Sequence, residues 1–196
     1  MEANGKPDFE AIVFDAYGTL FDLDSFASEA NRIYRGRGKA ISQTVRQKQL
    51  EFAMTRDIMG KYSNFELLTR NAIEFSLKKS GIRRTDAAVE KLFSKFLSLR
   101  PFKDVPPALN DLDELNVRVA ILSNGTQPML DKLIEKANLS LLAEDVISVD
   151  GAKAYKPNPK AYQQGMNELE IFEKEKILYV SGIRGTLPAQ RHSDSR

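Results

Sequence analysis

Ala11-Ile12-Val13-Phe14-Asp15-Ala16-Tyr17-Gly18-Thr19-Leu20 indicates the fold most directly, because it places a carboxylate directly after a short apolar run. A nearly continuous apolar run of this length is typical of a strand buried on both faces of a parallel sheet. A carboxylate at the end of such a strand is costly to bury without partners, so Asp15 is a candidate functional residue. Gly18 allows a tight turn after it, and Thr19 offers a hydroxyl close to the carboxylate.

Three later runs have the same character, and each is followed by polar or small residues. The runs are Val117–Leu122, Val146–Val149 and Ile177–Val180, and they precede Ser123-Asn124-Gly125, Asp150-Gly151 and Ser181-Gly182. Ligands of open α/β sheets bind just beyond the carboxyl ends of the strands. We therefore expect Asp15 and these polar residues to converge at one edge of the sheet.

Helical patterns such as Pro128–Ala137 and Pro159–Leu169 fill the intervals, which predicts an α/β doubly wound fold with a mainly parallel sheet. Between about residues 24 and 99 no strand pattern is found, and several helices are expected, including Ser42–Met59 and Ala87–Leu99. So long an excursion after the first strand predicts an inserted helical cap. The expected division is core for 1–23, helical cap for 24–100, core for 101–182 and a tail for 183–196.

Composition excludes several classes of function. The 196 residues are 42% apolar, enough for a core, and 29 basic against 27 acidic residues give no indication of a nucleic-acid partner. The chain has no cysteine, which excludes disulfides and thiol catalysis, and its single histidine, His192, argues against a Ser-His-Asp triad. With no membrane-spanning run and no signal-peptide core, we expect no membrane partner and a cytoplasmic location.

Lys156 is the third element of the predicted site. It lies in Tyr155-Lys156-Pro157-Asn158-Pro159, just before a helix that opens with proline, where its ammonium can point at the same sheet edge. Asp15, Ser123 and Lys156 would then bring a carboxylate, a hydroxyl and an amine together from three strand ends. That combination suits covalent catalysis.

These motifs resemble the first three motifs of the haloacid dehalogenase superfamily, whose core is a Rossmann-like α/β sheet. They read Asp-x-Tyr-Gly-Thr-Leu, Ser-Asn-Gly and Tyr-Lys-Pro. Phosphatases of that superfamily usually carry a second aspartate where this chain has Tyr17. The chain is more similar to the (S)-2-haloacid dehalogenases, which work without a metal or other cofactor. Residues 41–52 and 62–65 are similar to the cap of that group, and the resemblance covers about residues 8 to 182.

The resemblance implies hydrolysis of (S)-2-haloacids to (R)-2-hydroxyacids. Asp15 would attack C2 and displace halide with inversion, and water would then hydrolyse the ester at the Asp15 carbonyl. The other implied catalytic residues are Thr19, Arg46, Ser123, Asn124, Lys156 and Ser181. Thr19, Lys156 and Ser181 would orient the Asp15 carboxylate, and Arg46 with Asn124 would receive the halide. A homodimer is a further expectation from the family.

The resemblance also implies a substrate pocket. Ser123 and the backbone of Ala16 and Tyr17 would hold the substrate carboxylate. The remaining implied substrate-binding residues are the side chains of Tyr17, Gln47, Leu50 and Phe65, together with Tyr162 beside the lysine. Leu50 and Phe65 also have a plain interpretation as helix-packing residues, and Asn124 could simply cap the helix that follows it.

The resemblance ends at the fourth motif, which in the family reads Ser-x-Asn-x-x-Asp. Here Ile183 and Thr186 stand at the asparagine and aspartate positions. In the family that aspartate helps prepare the hydrolytic water, so we expect turnover to be impaired. For one choice of codons from Ile183 to Ser195, a one-nucleotide shift of the reading frame restores both residues and the next helix. Our hypothesis is that a lost base or a sequencing error produced the tail.

Two alternatives stay open. The first is a magnesium-dependent phosphatase of the same superfamily, against which Tyr17 and Thr186 both argue. The second is a catalytically inactive remnant that binds small carboxylates. Hydrolysis of p-nitrophenyl phosphate with magnesium would favour the first, and haloacid binding without turnover would favour the second.

Overall fold

The computed structural model describes residues 9–140 and 145–182. The predicted tail, with the fourth-motif positions Ile183 and Thr186, lies outside the described residues. The elements are β1 (Ala11–Phe14), β2 (Phe21–Asp22), α1 (Leu23–Ile33), α2 (Gly38–Ile58), α3 (Phe65–Lys79), α4 (Asp86–Phe96), β3 (Arg100–Pro101), α5 (Val105–Glu114), β4 (Arg118–Ser123), α6 (Gln127–Lys136), β5 (Asp145–Ser148), α7 (Pro159–Leu169) and β6 (Ile177–Val180). Two short 3₁₀ helices, Val149–Ala152 and Lys174–Lys176, precede α7 and β6.

The main sheet has four parallel strands in the order β5-β4-β1-β6. Phe14 lies opposite Ile121 on one side and Val180 on the other. The predicted strands at the positions of β1 and β6 are confirmed to the residue, and the other two are displaced by one residue. Because all four strands are parallel, Asp15, Asn124 and Ser181 follow strand ends at the same edge of the sheet.

Helices cover both faces of this sheet, as the doubly wound prediction requires. On one face, Val13 of β1 belongs to an apolar cluster with Met166 of α7. On the other face, Ile121 of β4 clusters with Leu133 of α6 and Leu109 of α5. A strand covered on both faces has no solvent side, which is why the apolar runs in the sequence are continuous.

Residues 23–96 contain four α-helices and, within that described stretch, no strand. The predicted helix Ser42–Met59 is α2, which begins four residues earlier, at Gly38. A Cβ on Gly38 would lie 2.2 Å from the carbonyl oxygen of Ala27, so only glycine allows α1 and α2 to approach this closely. The helix predicted for Ala87–Leu99 is α4, which ends three residues earlier, at Phe96. The helices are thus confirmed apart from these bounds, whereas the division into core and cap stays a prediction.

The short β2–β3 ladder was not predicted. It pairs Phe21 with Pro101 and Asp22 with Arg100, and so brings the two ends of the helical segment together. A two-residue strand is too short to show the alternation by which strands are recognised. Among the described residues, none of the helices is long and apolar enough to span a membrane.

Candidate active site

Asp15 lies in the turn directly after β1, and only 8% of its surface is exposed. Its backbone N donates to the carbonyl oxygen of Val180 at 3.0 Å, and its Oδ1 accepts a hydrogen bond from the N of Ala16 at 2.9 Å. The turn is tight, because both Leu20 N and Phe21 N donate to Ala16 O at 3.0 Å. The backbone therefore holds this carboxylate at the carboxyl edge of the sheet.

Lys156 forms a buried ion pair with this carboxylate. Its Nζ donates to Asp15 Oδ1 at 2.9 Å and also to the carbonyl oxygen of Leu122, and the residue is 8% exposed. Burial lowers the pKa of Lys156, and the nearby charge of Asp15 opposes that shift. The structure thus brings together two predicted site residues that are 141 positions apart in the chain.

The lowered pKa of Lys156 predicts a loss of activity on the alkaline side. Its proton leaves at a lower pH than the ordinary value of 10.5, and a neutral amine cannot offset the charge of Asp15. We therefore expect the reaction at Asp15 to slow as the pH rises toward 10.5. A pH profile of the first chemical step would measure this effect.

Deprotonation of Lys156 affects stability with the opposite sign to its effect on activity. A loss of activity caused by Lys156 can therefore be distinguished from a loss caused by unfolding. Where the pKa of Lys156 is lower in the folded than in the unfolded chain, its contribution to the free energy of unfolding rises with pH. Buried Tyr17, whose pKa is raised by burial, acts in the other direction only above its ordinary value of 10.0. The profile is therefore measured below that pH with circular dichroism as a control, and a flat profile would contradict the prediction.

The Ser-Asn-Gly turn contributes the second group of polar atoms. Ser123 ends β4, and its Oγ accepts a hydrogen bond from Gly125 N at 3.2 Å. Asn124 Oδ1 accepts one from the backbone N of Lys156 at 2.8 Å. The N-cap of α6 is Thr126, so the interpretation of Asn124 as a helix cap is wrong. The Asn124 side chain instead joins the second motif to the third.

Tyr17 packs closely over the same turn. A Cβ on Gly125 would lie 3.1 Å from the Tyr17 hydroxyl, which is a tight contact, so glycine at this position leaves room for the ring. The Tyr17 ring stacks on Phe96 at 5.1 Å between centroids and lies 5.9 Å from Phe65. Its hydroxyl is buried with no hydrogen-bond partner within residues 9–140 and 145–182, and burial raises its pKa, so it stays protonated.

Arg46 reaches this site from the helical segment. It lies on α2, and its Nη2 donates to the carbonyl oxygen of Tyr17 at 3.4 Å. Burial lowers the pKa of Arg46, while Asp15 and Tyr17 raise it. Since an arginine pKa starts so high, the guanidinium remains charged. A second cation therefore lies beside the turn that carries Asp15.

The other predicted residues are arranged as follows. Thr19 Oγ1 accepts a hydrogen bond from Gly182 N at 2.9 Å, which links the turn after β1 to the end of β6. Phe65 is buried, Leu50 is half-buried and Gln47 is exposed. A small cavity beside Asp15 is lined by Val13, Phe14, Asp15, Leu122, Lys156, Tyr162, Tyr179, Val180 and Ser181. The roles of these residues in binding and catalysis stay predictions.

Sequence reasoning missed Tyr155, which is 1% exposed. Its ring stacks on Tyr62 at 5.0 Å and lies 6.2 Å from Phe65, and its hydroxyl donates to the carbonyl oxygen of Ser63. The sequence contained part of this signal, because residues 62–65 (Tyr-Ser-Asn-Phe) and the Tyr-Lys-Pro motif each carry a tyrosine to which no role was assigned. Nothing in either motif indicates that the two aromatic groups meet.

An α/β sheet covered on both faces, with a buried aspartate–lysine pair at its carboxyl edge, defines a class of hydrolase. A family model described as haloacid dehalogenase-like hydrolase matches residues 9–182, and the chain belongs to this family. Haloacetate dehalogenase H-2 of Moraxella sp. (strain B) is 40% identical over 172 residues, which are 88% of this chain and 76% of that protein.

Two further comparisons agree with this family. The (S)-2-haloacid dehalogenase of Pseudomonas fluorescens is 34% identical over 174 residues, which are 89% of this chain and 76% of that protein. Among solved structures, L-2-haloacid dehalogenase from Xanthobacter autotrophicus with chloropropionic acid covalently bound has a TM-score of 0.82 and 36% identity. That match covers 87% of this chain and 69% of the other.

Proposed function

We propose that the protein hydrolyses (S)-2-haloacids to (R)-2-hydroxyacids through an ester on Asp15. The observation that carries the proposal is the buried Asp15 carboxylate, held at the sheet edge by Lys156 at 2.9 Å with Arg46 beside the same turn. A carboxylate is a weak nucleophile in water and a stronger one when it is oriented and partly desolvated. Similarity to proteins named (S)-2-haloacid dehalogenase supports this choice of substrate.

In the first step, one oxygen of Asp15 attacks C2 of the substrate and the carbon–halogen bond breaks. The halide leaves with the bonding electron pair, and C2 becomes esterified to Asp15 with inversion. Lys156 and Ala16 N both engage Oδ1, so we assign the attack to Oδ2. In the second step, water adds to the carbonyl carbon of the Asp15 ester. The hydroxyacid leaves with one proton of that water, the other proton passes to solvent, and the carboxylate is regenerated.

The neighbouring groups suit the charges of this reaction. Ser123 and the backbone of Ala16 and Tyr17 are assigned to the substrate carboxylate, and Arg46 and Asn124 to the departing halide. The Asn124 amide oxygen is held by Lys156 N, so its NH₂ group remains as the donor for an anion. A halide leaves most readily where such donors are already oriented.

We further propose that the four helices of residues 23–96 act as a cap over this site and as the contact surface of a homodimer. Ile58 and Met54 on α2 are 83% and 55% exposed, which suits a contact between two caps. A cytoplasmic location is part of the same proposal. Impaired turnover is part of the proposal as well, because the family aspartate that position 186 lacks helps prepare the hydrolytic water.

The proposal is tested by trapping the ester. After incubation with (S)-2-chloropropionate, we expect mass spectrometry to find one carboxyethyl group on the peptide that contains Asp15. Chloride should appear in a burst that matches the amount of protein, followed by slower release. The (R)-enantiomer serves as the control and should give neither signal. Absence of both the adduct and chloride release with the (S)-enantiomer would show that the proposal is wrong.

A further inference from the structure

The segment that carries Lys156 is bound to the helical segment by several contacts that the proposed mechanism does not use. Asp57, in the last turn of α2, accepts hydrogen bonds from Tyr155 N at 3.1 Å and from Asn158 Nδ2 at 2.8 Å. These two donors lie on either side of Lys156. The carboxylate of Asp57 therefore bridges the short stretch from which the lysine side chain extends.

Neighbouring contacts join the same two parts of the chain. Tyr62, in the connection between α2 and α3, donates its hydroxyl hydrogen to Asp150 Oδ1 at 2.5 Å. The Tyr155 hydroxyl donates to Ser63 O, and the Tyr62 and Tyr155 rings stack. Asp57 is the anion in this group that contacts the lysine-bearing stretch directly on both sides.

The position of Asp57 is unfavourable for the helix itself. A carboxylate in the last turn of a helix faces the negative end of the helix dipole, where lysine and arginine are preferred. Asp57 is also only half-buried, so it is not needed as a packing residue. Charge-assisted hydrogen bonds to Tyr155 N and Asn158 provide a reason for an acidic residue at this position.

We propose that Asp57 is a positioning residue that holds the stretch Tyr155–Asn158 so that the Lys156 ammonium stays on the Asp15 carboxylate. It acts through Lys156 and touches neither the substrate nor the reacting atoms. As far as catalysis is concerned, the inference rests on the proposed function. The placement of Lys156 itself can be measured without any turnover.

The test exchanges donor and acceptor between two positions. Asp57→Asn keeps the shape but turns an amide NH₂ toward a donor, and Asn158→Asp alone places two carboxylates against each other. The double variant combines Asp57→Asn with Asn158→Asp. In it, the carboxamide at position 57 accepts from Tyr155 N and donates to the carboxylate at position 158. Aspartate at position 158 also remains a good N-cap for α7. Asp113→Asn, on the exposed face of α5, is the matched control.

Trace acetylation with acetic anhydride, read by peptide mass spectrometry, reports how well Lys156 is held, with exposed Lys132 as the internal reference. We expect each single variant to raise the relative acetylation of Lys156 by roughly 10-fold and to slow ester formation about 10- to 100-fold, with a smaller change in KM. The double variant should restore both quantities, and Asp113→Asn should change neither.

Two results would overturn the inference. One is a lower melting temperature in Asp57→Asn with unchanged acetylation of Lys156, which would show a purely structural role. The other is a double variant that regains neither the acetylation pattern nor the rate. If the wild-type chain forms no ester, the proposed function fails, and the acetylation comparison still decides whether Asp57 positions Lys156.

Discussion

Replacing Asp15 with asparagine is expected to abolish ester formation and halide release, with a loss of about 10⁴-fold or more. The amide has nearly the same shape as the carboxylate and can still accept from Ala16 N, but it has no anionic oxygen to attack C2. Chloride release from (S)-2-chloropropionate and the mass of the Asp15 peptide measure the two parts of this result.

A second acidic residue of the same sheet provides the control. Asp145 begins β5 and forms an ion pair with Arg118 at 2.8 Å, at the opposite edge of the sheet from Asp15. Asp145→Asn therefore removes a carboxylate from an ion pair without touching the site. We expect it to retain the activity of the parent chain. Substantial turnover in Asp15→Asn would show that the ester is formed elsewhere or not at all.

Replacing Lys156 with methionine is expected to reduce both activity and stability. The apolar side chain has a similar length but leaves the Asp15 carboxylate buried without its counter-ion. Asp15 Oδ1 and Leu122 O then lose their buried donor, and each unsatisfied acceptor costs about 1–3 kcal/mol of the free energy of unfolding. Loss of an oriented charge beside the reacting carboxylate should slow ester formation roughly 10²- to 10³-fold. Denaturant unfolding and chloride release measure the two effects.

The double variant Asp15→Asn with Lys156→Met separates the effect on stability from the effect on activity. With neither charge present, no buried ion lacks a partner, so stability should recover toward that of the parent chain while activity remains absent. Lys156→Arg is the charge-conserving comparison, and we expect it to fold but to react slowly. A guanidinium fork does not fit the two contacts that the ammonium makes to Asp15 Oδ1 and Leu122 O. Full stability of the single Lys156→Met variant would show that the buried Asp15 carboxylate does not depend on the Lys156 donor.

Much of the fold could be predicted because its signals are local. The run Ala11–Phe14 is continuous and apolar, which indicates a strand covered on both faces. The helix predicted for Pro159–Leu169 is observed with the same bounds. The short β2–β3 ladder could not be predicted, since Phe21 and Asp22 show no alternation that distinguishes two paired residues from a turn. The spacing of apolar residues indicates which side of an element is buried, and this spacing can be recognised only over several residues.

The candidate site also has features that could be predicted from the sequence and features that could not. From the sequence alone, Asp15, Asn124 and Lys156 can be placed at or near strand ends, and parallel strands bring such positions to one edge. Which atoms meet follows only from the folded chain. The Lys156 ammonium contacts the Asp15 carboxylate, Asn124 Oδ1 accepts from Lys156 N, and the Asp57 carboxylate accepts from Tyr155 N. These contacts join residues far apart in the chain and depend on the packing of the helical segment against the core. Backbone propensities and apolar periodicity do not encode that packing, because it forms only when the complete side chains of both parts are fitted together.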